Sequence, residues 1–447
     1  MDIISQIPAF GGLLSTLLAF VVALSVIVAV HEYGHYIVGR WAGIHAEVFS
    51  LGFGPVLFSR MDKRGTRWQL AALPFGGYVK FVGDTNAASA GRDDEMALQL
   101  SPEEARHTML GAPLWARAAM VVAGPGFNFL LSIALFTVLG FSNGVVKDPL
   151  TVGGLHPMPV QMELQPGDEI VSIAGLQVPS FSDPAFSDFL EDLPLQPELE
   201  YVVQRDGDTL QVMAPYPMPA AIRQLAPRSA AYDIDLKVGD VITRADGQPV
   251  FAFSQLKQAV EAGHGKPLTL SVWRDGEEME FVLAPRRVDE PMADGGFQTN
   301  WRIGIVGALL MEPATEAPGV VQALANGVAI TWEIVRSSLS GLYHMVIGAI
   351  STCNMSGPLG IAEVSGAMAS QGTQSFVYFI GVLSTAVGLL NLFPIPVLDG
   401  GHLVFYGYEA VSGRPPSKKA MDIMMRIGLT LILGMMLFAL FNDIFCP

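Results

Sequence analysis

Four stretches of this chain run almost free of charge over lengths that suit a lipid bilayer. Ile3 to Val30 is 28 residues without an ionisable acid or base, Ala118 to Val146 is 29, and Phe376 to Leu398 is 23. As a helix the first would be about 42 Å long, enough for a hydrocarbon layer of about 30 Å. Ile427 to Asn442 has only 16. It becomes a span if the helix starts near Met421 and Arg426 snorkels to the interface. Charged residues make up 15% of the chain and the mean hydropathy is +0.41, against about 25% charge in average soluble domains. These figures argue against a wholly soluble globular protein. Gly319–Ile350 is interrupted by Glu333 and Arg336 and carries His344, so it reads as an amphipathic interfacial segment rather than a span. The start, Met1-Asp2, lacks the basic region of a cleaved signal peptide.

The charge is unevenly placed. The whole chain sums to 26 − 42 = −16, and residues 147–375 alone hold 13 basic and 28 acidic side chains, a net of −15. An acidic block between two apolar blocks is the layout of a soluble insert in a membrane protein. It also argues against a general nucleic-acid binder. Nine Lys or Arg lie between Arg40 and Arg117, and Arg414, Lys418, Lys419 and Arg426 lie between the last two spans. The positive-inside rule makes those two loops cytoplasmic. Both termini and the 147–375 insert then lie outside, in the periplasm of a bacterium. Cys353 and Cys446 fall on that side, so the compartment permits a disulfide. The acidic run from Asp93-Asp94-Glu95 to Glu103-Glu104 reads as a solvated linker.

The insert repeats itself. Pro166-Gly167-Asp168-Glu169-Ile170 aligns with Val238-Gly239-Asp240-Val241-Ile242 at an offset of 72, and each copy continues to an Arg-Asp-Gly turn, Arg205-Asp206-Gly207 or Arg274-Asp275-Gly276. Gly-Asp makes a tight turn before a short strand, and the later glycines start further turns. Two small β-rich domains follow. The pattern resembles tandem PDZ domains, which bind extended peptide ends by adding a strand. The second copy has Tyr232-Asp233-Ile234-Asp235-Leu236 where Ala-Gly-Leu is common, and the first has His156-Pro157-Met158-Pro159. Peptide binding and a steric filter are both open readings.

His31-Glu32-Tyr33-Gly34-His35 is the pattern H-E-x-x-H. On a helix, positions i and i+4 share a face, so both imidazoles can reach one zinc ion and the glutamate can serve as general base. With 8 His and 20 Glu, chance gives about 0.006 such matches in a chain of this length. Arg40, nine residues after His31, places the motif about 13 Å inside the first flanking charge. Ionisable groups at such depth need a partner, which a metal supplies.

Two histidines leave a catalytic zinc one protein ligand short. The third span ends Asn391-Leu392-Phe393-Pro394-Ile395-Pro396-Val397-Leu398-Asp399-Gly400-Gly401-His402, and Asp399 is the only acid between Glu363 and Glu409. Two prolines open the helix and two glycines let the backbone turn closely. Asp399 is a ligand candidate at the depth of His31 and His35, with His402 as its rival. A cap on the next helix is the plainer alternative for Asp399.

These motifs together resemble the site-2 protease family of intramembrane zinc metalloproteases, in its regulator of sigma-E protease (RseP) branch. Ser50-Leu51-Gly52-Phe53-Gly54, Pro74-Phe75-Gly76-Gly77-Tyr78-Val79-Lys80, Gly124-Pro125-Gly126-Phe127-Asn128-Phe129 and Ser356-Gly357-Pro358 extend the similarity nearly end to end. The resemblance implies that His31, His35 and Asp399 bind Zn2+, that Glu32 is the catalytic acid/base, and that Asn391 helps hold substrate. It implies a membrane-associated β-loop at Trp68–Phe81, read as a short hairpin about Pro-Phe-Gly-Gly. Asn128 could bond the third span or the Asp399 loop, and is otherwise inter-helix glue.

The expected fold is a multi-span α-helical membrane protein of about four transmembrane helices with two inserted PDZ-like domains. Its parts are 1–146 (membrane domain with the HExxH span, cytoplasmic loop and second span), 147–216 and 217–290 (PDZ-like), 291–375 (linker and amphipathic segment) and 376–447 (membrane domain with the LDG motif). The expected function is hydrolysis of peptide bonds in transmembrane segments of single-span membrane proteins. By the resemblance, these are a trimmed anti-sigma factor and leftover signal peptides in a bacterial inner membrane, cut near its cytoplasmic side. The lipid bilayer and periplasmic peptides are the other expected partners. A divalent-metal transporter and a non-catalytic PDZ scaffold are the alternatives.

Overall fold

The computed structural model describes residues 7–83, 101, 105–109, 111–292 and 296–446. The acidic run at 93–104 and the Met1-Asp2 start lie outside them. The chain divides into two compact units. One holds Met1–Leu139, Val321–Tyr343 and Thr352–Cys446, the other Gly140–Val320 with His344–Ser351.

In the first unit, α1 spans Ile7–Trp41. It ends where Gly43 takes a left-handed φ of 85°, and Ile44 N–H bonds back to the Gly39 carbonyl, which satisfies the last turn. Strands β1 (Ala46–Met61) and β2 (Arg67–Phe81) follow. Val48 to Leu51 partner Lys80 to Gly77 on one side and Arg67 to Leu70 on the other, while Val56 to Met61 partner Ala71 to Arg67. The expected hairpin over Trp68–Phe81 is thus folded differently. Its two arms do not pair with each other, because residues 48–51 lie between them. The chain can bend this way because Gly52, Gly54 and Gly76 have φ of 87°, 84° and 140°. Phe49, buried between the arms, joins Tyr36, Ile44, Val79, Phe81 and Met120 in one core.

Helix α2 spans Leu114–Asn143 and contains Pro125. The second unit begins with β3 (Val145–Val146) and β4 (Val152–Leu155). Its first four-stranded sheet contains β5 (Glu169–Ile173), β6 (Leu176–Gln177), β7 (Glu198–Arg205) and β8 (Asp208–Pro215), with α3 (Ala185–Asp192) between β6 and β7. After β9 (Ile222–Leu225) comes its counterpart: β10 (Val241–Ala245), β11 (Gln248–Pro249), α4 (Phe253–Ala262), β12 (Leu268–Arg274) and β13 (Glu277–Leu283). Both sheets have one order, β6-β5-β7-β8 and β11-β10-β12-β13. Asp206-Gly207 and Asp275-Gly276 all have positive φ, as two-residue hairpin loops require.

The repeated Gly-Asp has a second job. Asp168, fully buried, accepts Gln165 N–H and a two-pronged bond from Arg205 at 2.6 and 2.7 Å. Asp240, 1% exposed, accepts Lys237 N–H and Arg274 in the same way at 2.6 Å. Burial alone would raise the Asp168 pKa. The hydrogen bonds from Arg205 and Gln165 and the guanidinium charge outweigh it and hold the carboxyl below its ordinary range. Next come β14 (Arg286–Pro291) and β15 (Phe297–Arg302), which pair with each other. Then β16 (Ile305–Gly307), β17 (Met311–Pro313) and β18 (Thr315–Glu316) pair in turn with β9, β4 and β3. One returning segment thus stitches both repeats and closes against the strand by which the chain entered.

Helix α5 spans Val320–Val346 and exposes Val321, Leu324, Val328 and Trp332. The rest is helical: α6 (Pro358–Ser370), α7 (Thr373–Asn391), α8 (Asp399–Ser412) and α9 (Lys418–Phe445). Among the described residues, four helices are long and apolar enough to cross a membrane: Gly12–Trp41, Leu114–Asn143, Thr373–Asn391 and Lys418–Phe445. These match the expected spans, and α5 is not among them. Leu429, Leu433, Leu437 and Phe441 on α9 are exposed, as a lipid-facing surface requires. Cys353 and Cys446 are joined by a disulfide. Beside it, Asp443 accepts Gly357 and Gly360 N–H at the start of α6.

Candidate metal centre

His31 and His35 project from one face of α1, as their spacing dictates. Asp399 reaches them from the first turn of α8. Between α7 and α8 the chain is not helical from Leu392 to Leu398 apart from turns, and Leu398 is extended. Pro394 and Pro396 lack the N–H that a helix would need. A Cβ on Gly400 would overlap the Leu392 and Phe393 carbonyls, and one on Gly401 would overlap that of Ile395. Only glycine lets α8 begin so close to its own approach.

The Nε2 atoms of His31 and His35 lie 3.1 Å apart, and Asp399 Oδ2 is 3.3 Å from the first and 3.4 Å from the second. Asp399 Oδ2 is buried and has no hydrogen-bond partner. His35 Nδ1 is 2.9 Å from the Met120 carbonyl, which can only accept, so that nitrogen carries the proton and Nε2 keeps its lone pair. Lone pairs and a carboxylate oxygen converging in a buried space call for a cation. Among the described residues these three could hold a metal ion, their ligand atoms all within 4.8 Å of one another. Two nitrogens and one oxygen suit zinc.

The centre opens on a cavity of about 340 Å³ whose lining includes Glu32, Tyr78, Val79, Asn391 and His402. Glu32 sits beside both imidazoles in sequence, and its Cγ lies 3.1 Å from where a Cβ on Gly77 would stand. That Cβ would also lie 2.8 Å from the Ser50 backbone carbonyl, so strand β2, passing over the glutamate, has room here only for glycine. Asn391 shares the cavity, with its amide nitrogen donating to the Val387 carbonyl at 3.0 Å. His402, the rival to Asp399, lines the cavity but is not one of the three convergent donors.

Helix α2 supplies neighbours of both imidazoles that the sequence alone does not assign to them. A Cβ on Gly124 would overlap His35 and lie 2.9 Å from His31 Cε1. One turn to either side stand Met120, partner of His35, and Asn128, whose Nδ2 lies 3.2 Å from His31 Nδ1. The spacing 120, 124, 128 mirrors 31 and 35. That four-residue rhythm inside the second span was the available signal. Asn128 is itself held from behind. Its backbone carbonyl accepts Ser132 and Ser384 hydroxyls, and Gly388 of α7 packs against its Cβ. Near the start of α2, Arg117 grips Glu409 of α8 with two bonds at 2.6 and 3.1 Å.

The family model Peptidase family M50 matches residues 19–435. A protein of Agrobacterium fabrum with a provisional zinc metalloprotease name is 35% identical over 442 residues, covering 98% of this chain and 97% of the relative. One of Rhizobium meliloti, similarly named, is 35% identical over 430 residues and 96% of each chain. The regulator of sigma-E protease of Salmonella typhimurium is 31% identical over 464 residues, 97% of this chain and 99% of its own.

Proposed function

This chain belongs to peptidase family M50, the site-2 protease family, as a zinc metalloprotease with membrane helices, and on that footing we propose that it is an intramembrane endopeptidase. His31, His35 and Asp399 are its metal ligands, Glu32 its general acid/base, and Asn391 a substrate-holding residue. The observation that carries the reading is the meeting of three donor atoms, from two helices far apart in sequence, beside a glutamate in a cavity.

A zinc ion bound there supplies Lewis acidity, which makes water acidic enough to attack at neutral pH and polarises the scissile carbonyl. Glu32 takes the proton of the attacking water and returns it to the leaving amine. Gly77 keeps β2 close over Glu32 without displacing it. A transmembrane substrate hides its carbonyls in its own helix, so it must unwind to be cut. The outer segment 77–81 of the β1–β2 sheet offers an unwound strand a backbone to pair with.

The substrates are single-span membrane proteins of the anti-sigma-factor kind, by analogy with the Salmonella relative. The two equal sheet orders support reading 147–216 and 217–290 as PDZ-like domains that exclude partners with a bulky outer part. The charge of the loops supports an inner-membrane orientation with the site near the cytoplasmic face. The test is cleavage of a model single-span substrate by the purified protein in detergent. Cleavage that stops with a chelator, returns with zinc and is absent in Glu32→Gln supports the proposal. Cleavage unaffected by both treatments refutes it.

A further inference from the structure

Both metal-facing imidazoles are backed by α2, but with different kinds of group. Behind His35 is the Met120 carbonyl, an acceptor only. Behind His31 is the Asn128 carboxamide, which has a donor end and an acceptor end of the same shape. Asn128 is fully buried. Its Nδ2 lies 3.2 Å from His31 Nδ1, and its Oδ1 has no hydrogen-bond partner. A half-turn of the carboxamide about its last bond exchanges the ends without moving anything else.

We propose that Asn128 is a positioning residue for the metal centre, which presents Oδ1 to His31 Nδ1 and so keeps His31 Nε2 directed at the ion as a lone pair. The proposal rests on the zinc reading above. A histidine that ligates through Nε2 carries its proton on Nδ1, and a partner that accepts this proton fixes the ring's orientation and makes it a better ligand. Nδ2 facing Nδ1 would instead place the ring proton on Nε2, where a metal must bind. The side chain is well built for the task. Two serine hydroxyls hold the backbone carbonyl of Asn128, Gly388 packs behind its Cβ, and Gly124 clears the space one turn away. Without such a role, an amide with one buried orphan end is a costly choice for simple packing between helices.

The test uses the full-length protein in detergent and the affinity for Zn2+ alone, measured by competition with a chromophoric chelator. Asn128→Leu keeps the branched outline of the side chain and removes both polar ends. It should weaken zinc binding about 10–100-fold, while the melting of the metal-stripped protein stays as in the wild type or rises. Asn128→Asp offers only acceptors and should restore binding to within about 3-fold of wild type, or tighten it. The same order should appear in the rate at which a chelator strips zinc. Wild-type affinity in Asn128→Leu overturns the proposal, and so does a 10-fold loss in Asn128→Asp, which stands as a test even if the leucine variant fails to fold. If the wild type binds no zinc at all, the metal reading and this proposal fall together. If it binds zinc and the leucine variant binds equally, only this proposal falls.

Discussion

Gly124 of α2 and His35 of α1 face each other with no room for a methyl group between them. The contact sets how closely the second span can approach the HExxH motif. Gly34 does the same from the other side, since a Cβ there would lie 2.5 Å from the Ala123 carbonyl.

Gly124→Ala should therefore displace the imidazoles although alanine is the better helix former. Zinc affinity should fall at least about 10-fold with helix content unchanged by circular dichroism. Gly126, which has nothing within 4 Å of its would-be Cβ, is the control. Gly126→Ala should bind zinc normally and be stabilised by up to about 1 kcal/mol.

Glu32→Gln should keep the metal and lose the chemistry. Zinc content measured by atomic absorption should match wild type, while cleavage drops about 10²- to 10⁴-fold. Equal loss of metal and activity would instead make Glu32 a structural member of the centre.

The buried Asp168–Arg205 fork should govern the acid limit of the first repeat. Asp168 titrates below its ordinary range, so its contribution to stability is complete above the unfolded value of about 4 and fades as pH falls through the folded one. Protection of the β5–β8 amides against hydrogen exchange, relative to their intrinsic rates, should fall below about pH 4 in the intact protein, and Asp168→Asn should flatten that dependence. Removing Arg274 leaves the Asp240 carboxylate buried and unpaired, at a cost of about 3 kcal/mol, readable as faster exchange in β10–β13.

At the other end, Cys353 and Cys446 should resist a thiol reagent until reductant is added, and a non-reducing digest should give one cross-linked peptide pair. Asp443→Ala removes the acceptor of two N–H groups at the start of α6. It should cost about 1 kcal/mol and speed exchange at Gly357 and Gly360.

What the sequence made legible follows the range of the forces involved. The i, i+4 pairing of His31 and His35 is dictated by one helix, so five residues reveal it. The spans and the Gly-Asp turns are likewise local. Asp399 was visible only as a misplaced acid, because its approach depends on how Gly400 and Gly401 fold over the Leu392–Pro396 backbone. Asn128 was visible as a polar residue in a span, but its contact with His31, and those of Gly124 and Met120 with His35, were hidden, since nothing local sets the register of α2 against α1. The sheet was misjudged for the same reason. Pro-Phe-Gly-Gly does mark a bend, but a turn signal does not say which strand lies between its arms. The Arg205–Asp168 and Arg274–Asp240 pairs left a trace that went unread: both repeats keep an arginine at the head of the second turn.

The bond between Cys353 and Cys446, 93 positions apart, closes a covalent ring around α6, α7, α8 and α9. Asp399 lies inside that ring, while His31 and His35 lie outside it. A nick at any single point between the two cysteines would leave the severed pieces tethered, so a damaged molecule would still migrate as one band until its sulfurs were parted.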